Sequence, residues 1–361
     1  MAVPPRRLHL VRPCQLLAGA TARNDDTPTP EPSAPTTPPD STPALPAVAE
    51  RHIPVGMPVD LDIAQGHAYV VSVTREGRTG GLSVFDVSHP RNPILKTTLS
   101  RPEDDGGTSL QVQGHALYLA NERGTRVYDI TRPTDPRLVR TLPTGQHGTW
   151  SVLAESGRLY SLAPGSGIHV HELSDPLNPV PLTVIHTPED ASQGGPEDAF
   201  IHQNRLYLSD ALAGYCVLDV TNLRDVQLLG QYRPSSYGDG YHSAVGIFEG
   251  KHIAFEAAEN PAPHVRVLDV SNPSHIVKRG EFRMPRSSTI QNLLLRGHRL
   301  HVAAQQDGVR VLDVSHPTRP QQVAHLHAGD LPQSAIGLRV PGDGHVYVVD
   351  TARGLLVFNE P

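Results

Sequence analysis

Two stretches of this chain place carboxylates beside an imidazole and phenol rings, which are side-chain types that bind cations and polar ligands. The residues are Glu189, Asp190, Glu197 and Asp198 in the first stretch, and Tyr237, Asp239, Tyr241 and His242 in the second. Carboxylate oxygens are the ligands that Ca²⁺ prefers, and an imidazole nitrogen extends the choice to other divalent cations. No other cofactor is expected, and a metal site would use this set: Glu197, Asp198, Asp239 and His242.

Aromatic rings accompany the carboxylates and favour a different class of ligand. Tyr237, Tyr241 and Trp150 are amphipathic rings of the kind that bind peptides or sugars. Three interpretations therefore stay open: a ligand-binding face, a catalytic metal site, or solvated loops that bind nothing. Catalytic motifs do not decide between them, because no nucleophile–base pair is recognisable in the sequence.

The elements that must position these residues follow from an internal repeat. An apolar motif that ends in Asp-Val-Ser, or in a variant of it, occurs seven times from about residue 51. Its anchor residues, 43 to 50 positions apart, are Asp86, Asp129, Glu172, Asp219, Asp269, Asp313 and Asn359. In the first copy the pattern predicts strands at residues 59–63, 67–72, 81–87 and 94–99. Four strands at this period predict an all-β fold, a seven-bladed β-propeller with four-stranded blades.

The two ends of the repeat region are complementary. The last copy stops after its third strand, at Asn359, while an apolar segment at residues 47–55 precedes the first strand. If this segment supplies the missing outer strand, the ring closes and leaves no long unpaired edge. We therefore expect residues 47–361 to form one closed propeller.

The pattern Gly-Leu-x-Val-x-Asp-Val-Ser-x-Pro at residues 81–90 resembles the LVIVD repeat of bacterial and archaeal surface proteins. The resemblance covers about residues 51–361 and rests on seven copies of the motif. It implies an extracytoplasmic propeller, in a family whose biochemical role is mostly unknown. The copies depart from the pattern at Glu172, Asn359, Leu223 and Val226, and these departures affect only single turns.

Residues that recur in every copy are best explained by the fold. The repeated aspartates precede a tight turn, where a carboxylate and the Ser or Thr two residues later can bond backbone N–H groups. Seven of the 20 histidines occupy turn positions of the repeat, while His325 and His327 share one face of a strand. Cys216 lies in an apolar strand and is expected in the core. With Cys14 it gives two cysteines, too few for a disulfide framework.

The repeat assigns the candidate residues to one face of the propeller. Two kinds of loop meet on this face: those that join the fourth strand of one blade to the first strand of the next, and those that join the second and third strands of a blade. We name this face the loop face. Two of these loops are long, residues 186–198 and 233–243, and they enter the neighbouring blades 4 and 5. Other acidic and imidazole residues expected on this face are Glu103, Asp104, Asp105, His147, Asp210, Glu256 and Glu259. The sequence therefore predicts an acidic rim on the loop face.

The first 46 residues differ in composition from the repeat region. Residues 1–23 combine arginines, an interrupted apolar stretch and small residues, which fits a possible export signal. Residues 16–20 are similar to a lipoprotein signal, but position 20 is alanine and not cysteine. Residues 24–46 are rich in Pro, Thr and Ser and are expected to form a disordered linker. An ordinary loose tail would have the same composition.

Charge and hydropathy exclude several classes of function. The net charge is −6 without a basic cluster, which argues against a nucleic acid partner. No apolar run is long enough for a transmembrane helix. We therefore expect a monomeric, exported module for binding or scaffolding in the periplasm, at the cell surface or in the medium. Its partner would be an envelope protein, a peptide or a glycan. The alternative is a propeller enzyme, a hydrolase or lyase that uses a divalent cation on its acidic face.

Overall fold

The computed structural model describes residues 42, 44–101, 107–187, 196–210, 214–233, 242–258, 262–285, 288–329 and 332–361. These residues form seven sheets, which are the blades of the β-propeller that the sequence predicts. The first strand of each blade, strand a, contacts the first strands of adjacent blades, and strands b, c and d follow outward. A 3₁₀ turn at Pro273–His275 is the one helical element in the described part of the chain, where no helix could cross a membrane.

Two short strands, β1 (Ala44–Leu45) and β2 (Ala49–Arg51), precede the first blade. Blade 1 contains β3 (Met57–Ala64), β4 (His67–Val73), β5 (Gly81–Asp86) and β6 (Ile94–Leu99). Blade 2 contains β7 (Gly107–Gln113), β8 (Ala116–Asn121), β9 (Gly124–Asp129) and β10 (Arg137–Leu142). Blade 3 contains β11 (Ser151–Glu155), β12 (Arg158–Ala163), β13 (Gly167–Glu172) and β14 (Val180–Ile185).

Blades 4 to 7 continue in the same order. Blade 4 contains β15 (Pro196–His202), β16 (Arg205–Asp210), β17 (Gly214–Asp219) and β18 (Gln227–Tyr232). Blade 5 contains β19 (Ser243–Phe248), β20 (Lys251–Ala258), β21 (His264–Asp269) and β22 (Val277–Arg283). Blade 6 contains β23 (Asn292–Arg296), β24 (Arg299–Ala303), β25 (Val309–Asp313) and β26 (Gln321–Leu326). Blade 7 takes three strands from the chain end, β27 (Ala335–Arg339), β28 (His345–Asp350) and β29 (Gly354–Asn359).

The ring is closed by the segment before the first blade, as predicted. Strand β2 pairs antiparallel with β29 and completes blade 7 as its outer strand. The N–H of Val48 extends this pairing with a 2.7 Å hydrogen bond to the carbonyl of Val357. Ile53 and Val55 are 2 % and 9 % exposed, and they belong to the core between blades 7 and 1. Residues 44–55 are named the strap below.

Strand β1 lies inside the segment that the sequence predicts to be linker. It pairs parallel with β26, so that blade 6 has a fifth strand. The N–H of His327 adds a 3.1 Å bond to the carbonyl of Leu45. Sequence patterning misses this strand because two residues between prolines show no periodicity. The strap therefore spans the outer strands of blades 6 and 7.

The repeated aspartates have the structural role that the sequence predicts. Asp86 Oδ1 accepts hydrogen bonds from the hydroxyl and backbone N–H of Ser88, at 2.6 and 3.1 Å. These bonds, the hydroxyl first, lower the pKa of Asp86. The turn residues Thr131, Thr221, Ser271 and Ser315 likewise donate backbone N–H bonds of 2.8 to 3.2 Å to their aspartates. Each carboxylate therefore stabilises the turn between strands c and d.

The repeated glycine at the start of strand c is required by a close approach of the outer strand. Gly124 has φ +124°, and a Cβ atom there would overlap the carbonyl oxygen of Leu142. Gly354 in blade 7 has φ +101°, and its Cβ would overlap the carbonyl oxygen of Arg51 in the strap. The same glycine thus serves an ordinary blade and the blade that the strap completes.

Strand b places one buried ring in every blade. The ring is a tyrosine or phenylalanine in six blades and a histidine in blade 6. The rings are Tyr69, Tyr118, Tyr160, Tyr207, Phe255, His301 and Tyr347, all at most 1 % exposed. Neither ring nitrogen of His301 has a hydrogen-bond partner in the described structure. Burial lowers the pKa of His301 to about 4, because the charged imidazolium cannot be solvated there.

Side chains of strand a connect the blades around the channel. Strand a is the edge strand that faces the channel, so the N–H groups on its open edge lack ladder partners. Asp60 and Asp62 accept hydrogen bonds from the N–H groups of Leu110 and Val112 in blade 2, at 3.0 and 2.7 Å. Gln111 in turn accepts a 2.6 Å bond from the N–H of Ala154 in blade 3. The inner edges of blades 2 and 3 are thus satisfied by side chains of the preceding blade.

Arg339 on β27 joins the last blade to the first at the same level of the channel. Its guanidinium lies 3.4 Å from Asp60 Oδ1 and 3.3 Å from Asp62 Oδ1. Burial raises the pKa of Asp60, while Arg339 and the backbone N–H of Leu110 oppose this shift. Ring closure therefore has an ionic contact inside and the strap outside.

Removal of the strap tests the closure. A chain that starts at residue 57 loses the hydrogen bonds of β2 and the buried side chains of Ile53 and Val55. Full burial of such a side chain contributes about 1.5–3 kcal/mol, so we expect a loss of at least about 3 kcal/mol. A chain that starts at residue 46 retains β2 and is the control, and we expect it to melt close to the full chain. Equal melting temperatures for the two truncated chains would contradict the closure.

The variant His301→Phe tests the buried imidazole. The folded pKa of about 4 lies below the ordinary value of 6.5, so the unfolded chain binds an extra proton as pH falls from 6.5 to 4. Parent stability therefore falls across this window by up to about 3 kcal/mol from this group alone. Phenylalanine, which blade 5 carries at this position, abolishes that contribution and removes two buried nitrogens without partners. Denaturant melts at pH 7 and pH 4 measure the difference, and a constant gap between variant and parent would refute the assignment.

Candidate functional site

The structure describes four of the nine candidate residues. Glu197 and Asp198 lie in strand β15, rather than in the loop where the sequence places them, because β15 pairs with β16 from Pro196 onward. His242 directly precedes β19, and Trp150 directly precedes β11 in blade 3, where it is 39 % exposed. The remaining candidates lie outside the described residues: Glu189, Asp190, Tyr237, Asp239 and Tyr241.

Asp198 and His242 are brought together, as the adjacency of blades 4 and 5 predicts. Asp198 Oδ2 accepts a 3.1 Å hydrogen bond from the N–H of Ser243 and lies 3.6 Å from His242 Nδ1. The side chains of Asp198 and His242 are 25 % and 31 % exposed. Asp198 Oδ1 accepts no hydrogen bond within the described structure. This carboxylate and imidazole are therefore partly accessible to solvent.

The register shows that Asp198 occupies the same repeat position as Asp60. Asp60 lies opposite Val71 on strand b of blade 1, and Asp198 lies opposite Ser209 on strand b of blade 4. Both carboxylates accept a backbone N–H from strand a of the next blade. Asp198 thus has a structural role in the ring as well as a place on the accessible surface.

A polar row crosses blade 4 on the face that meets blade 5. It runs through cross-strand partners in the order Asp198, Ser209, Tyr215 and Tyr232. In blades 1, 3 and 6 the last three positions of this row are aliphatic. The residues are Val71, Leu82 and Leu99 in blade 1, Leu162, Ile168 and Ile185 in blade 3, and Ala303, Val309 and Leu326 in blade 6. Blade 4 therefore departs from the repeat at three consecutive strands.

A second polar row crosses blade 5 and faces the first. Its members in order are Ser243, Glu256, Arg266 and Glu281. Where blade 5 has Ser243 opposite Glu256, other blades have Leu61–Val70, Leu110–Leu119, Ala199–Leu208, Leu293–Val302 and Leu338–Val348. A carboxylate thus lies where the repeat places an aliphatic side chain.

The two rows form one buried polar layer at the interface of blades 4 and 5. Glu256 and Arg266 are 0 % and 3 % exposed, and Arg266 Nη1 donates a 2.6 Å hydrogen bond to Glu256 Oε2. The guanidinium of Arg266 also lies 5.6 Å from the centre of the Tyr232 ring in blade 4. The hydroxyl of Ser209 has no hydrogen-bond partner in the described structure, while those of Tyr215 and Ser243 are buried close to each other.

Burial in this layer shifts the pKa values of its titratable groups. Burial raises the pKa of Tyr215 well above its ordinary value, and the nearby carboxylates of Glu256 and Asp198 raise it further. Burial likewise raises the pKa of Cys216 to about 12, with a further contribution from Asp210. Cys216 is 1 % exposed, so it is a core residue as predicted and not a nucleophile.

The acidic rim predicted from the sequence is wrong for two of its members. Asp210 and Glu256 are both 0 % exposed and lie in strand b rather than on a solvated loop. The Thr187 hydroxyl donates a 3.3 Å hydrogen bond to Asp210 Oδ2. Strand b extends further toward the loop face than the sequence pattern indicates, so these carboxylates lie beneath the surface. Glu103, Asp104, Asp105 and Glu259 lie outside the described residues.

Two features bear on catalysis and metal binding. Ser166 Oγ lies 3.0 Å from His169 Nε2, a contact that the sequence does not single out. A similar contact, Ser88 Oγ to His89 Nδ1 at 3.3 Å, occurs in a structural turn, so neither distance alone indicates catalysis. Within the described ranges no three His, Cys, Asp or Glu side chains are placed to share a metal ion. The metal set that includes Asp239 stays a prediction.

Comparison with known proteins supports the repeat and the fold. A family model described as the LVIVD repeat matches residues 56–100, 265–283 and 289–325, which confirms the resemblance seen in the sequence. The chain therefore carries LVIVD repeats. Among curated protein sequences none matches it.

Two solved structures have the same fold at low sequence identity. The β-propeller domain of Cps50 (Swd1) from Myceliophteria thermophila is 13 % identical, with a TM-score of 0.62, covering 86 % of this chain and 98 % of that one. The computationally designed Ika8 protein is also 13 % identical, with a TM-score of 0.58 and coverage of 88 % and 99 %. Such identities are informative about fold and not about function.

Exchange of the buried ion pair tests the energetics of the layer. Glu256→Val alone leaves the charge of Arg266 in a buried site, so we expect a loss of about 3–5 kcal/mol. The double variant Glu256→Val with Arg266→Leu reproduces the blade 7 pair Val348–Leu356. We expect it to be as stable as the parent or more stable, since hydrophobic replacement of a buried pair is often neutral or stabilising. Urea unfolding measures both, and a double variant less stable than Glu256→Val would contradict the prediction.

Proposed function

We propose that this LVIVD-repeat propeller is a binding module that holds its ligand on the loop face at blades 4 and 5. One observation carries the proposal: the buried polar layer has polar residues at positions that most other blades fill with aliphatic ones, namely Ser209, Tyr215, Tyr232, Ser243 and Glu256. Such a layer is not explained by a gain in stability, because Glu256 and Arg266 lose their hydration when they are buried. Departures from the local rules of a fold concentrate at functional sites.

The accessible part of this site is the Asp198–His242 pair. Asp198 offers Oδ1, which accepts no hydrogen bond from the described residues, and His242 offers an imidazole at 31 % side-chain exposure. The hydroxyls of Ser209, Tyr215 and Ser243 lie in the layer beneath. Acceptors and hydroxyls of this kind favour a ligand with hydrogen-bond donors, such as a peptide or a glycan, or the surface of an envelope protein. No nucleophile or metal is required for this activity.

We further propose that the module acts outside the cytoplasm. The composition of residues 1–23 supports export, and the Pro-rich part of residues 24–46 that precedes the strap supplies a spacer between that leader and the ring. The resemblance of the repeats to the LVIVD repeat of surface proteins supports the same location. An envelope location gives the binding face access to the three classes of partner named above.

Capture experiments with paired variants test both proposals. The immobilised protein is exposed in parallel to envelope and cytoplasmic extracts, and the variants Asp198→Asn and His242→Gln are compared with the parent. Asparagine keeps an acceptor for the Ser243 N–H while removing the charge, so the fold is retained. We expect a component from the envelope extract alone, bound by the parent and at least tenfold less by each variant.

The matched control is Glu122→Ala, which removes an exposed carboxylate from the loop between strands b and c of blade 2. It should bind as the parent does. Equal capture by the parent and both site variants would show that blades 4 and 5 are not the binding face. Stoichiometric metal retained by the parent and lost in His242→Gln would favour the enzyme alternative instead.

A further inference from the structure

A groove of about 680 Å³ lies along the strap, on the outside of the ring. The strap lines it with residue 44 and residues 46–51, and blade 6 adds residues 327–329. Arg353 of blade 7 and Arg91 of blade 1 complete the lining. The groove therefore collects side chains from positions far apart in the sequence, and it exists because the strap is docked.

The groove is basic, because three guanidinium groups line it with one carboxylate. Arg51 donates to neutral acceptors, Pro93 O at 2.7 Å and Asn92 Oδ1 at 2.6 Å, so its charge is not compensated there. Arg91 is exposed and makes no ion pair or hydrogen bond within the described structure. Glu50 is the single carboxylate of the lining, and Arg353 already uses it.

Arg353 shows that this compensation is incomplete. Its Nε lies 3.2 Å from Glu50 Oε2, and Nη2 bonds the same oxygen. Its Nη1 is buried and has no partner among the described residues, and the side chain is only 11 % exposed. A guanidinium that is largely removed from water and bonded on one side keeps a strong positive potential in its surroundings.

We propose that this strap groove binds a ligand through a carboxylate or phosphate group. The planar guanidinium fork matches the oxygens of both groups, and charge-assisted bonds of this type are the strongest in proteins. The volume falls within the range of small-molecule sites. Apolar strap residues such as Val48 and Ala49 contact the rest of the ligand. The proposal is independent of the binding face at blades 4 and 5.

Binding at this groove stabilises the closed ring. A ligand that contacts Arg353 of blade 7, Arg91 of blade 1 and the strap binds only the conformation in which all three are assembled. Any ligand that binds the folded state alone raises its stability according to its concentration relative to Kd. Occupancy of the groove therefore hinders release of β2 from β29.

The test uses thermal melts and titration calorimetry of the full chain with inorganic phosphate and with citrate, at matched ionic strength against chloride. Both anions stabilise many proteins by exclusion from their surfaces, so the readout is the difference between the parent and Arg91→Gln. We expect saturable binding in the parent and about tenfold weaker binding in the variant. Glu50→Gln removes the competing carboxylate and should tighten binding.

The control variant is Arg78→Gln, which removes an exposed arginine of blade 1 that does not line the groove. It should bind both anions as the parent does. Preference for phosphate or for citrate identifies which group the site recognises. Identical melting shifts in the parent, Arg91→Gln and Arg78→Gln, or the absence of saturable binding, would overturn the proposal. Loss of partner capture at blades 4 and 5 would not, since that experiment concerns another face.

Discussion

The propeller depends on satisfying the inner edge of every blade. Strand a has a neighbouring strand on one side only, so the N–H groups on its open edge need acceptors from elsewhere. Asp60, Asp62, Gln111 and Asp198 provide them, each for the next blade. Arg339 then neutralises the two aspartates of blade 1 from the other side of the ring seam. Strands b, c and d of each blade pair outward from this inner ring.

The repeat makes departures from it informative, because six other blades show what the fold alone requires. An aliphatic pair at the position of Ser243 and Glu256 satisfies five of those blades. His301 departs from the repeat in a different way. It keeps the buried ring that the other blades have at this position, but its ring nitrogens are among the buried polar atoms without a hydrogen-bond partner in the described structure. A chain without repeats would offer no such internal reference, and a buried glutamate could not be separated from ordinary core variation.

The sequence predicts the ring well and the site only in part. Seven copies with turn residues at fixed offsets determine blade count and closure, because each copy confirms the others. The approach of Asp198 to His242 was predictable from the adjacency of two blades. The burial of Asp210 and Glu256 was not, since it depends on how far strand b extends and on pairing with Arg266 ten residues later. The strap groove was also hidden, because its arginines are separated by most of the chain.

The strap determines how the ring responds to a force applied at its N-terminal side. Any tension carried by the segment before Ala44 reaches first the two-residue pairing of β1 and then the three-residue pairing of β2 with β29. The resistance of the folded ring to tension from this end therefore begins with five paired residues, two on blade 6 and three on blade 7, and continues with the buried side chains of Ile53 and Val55.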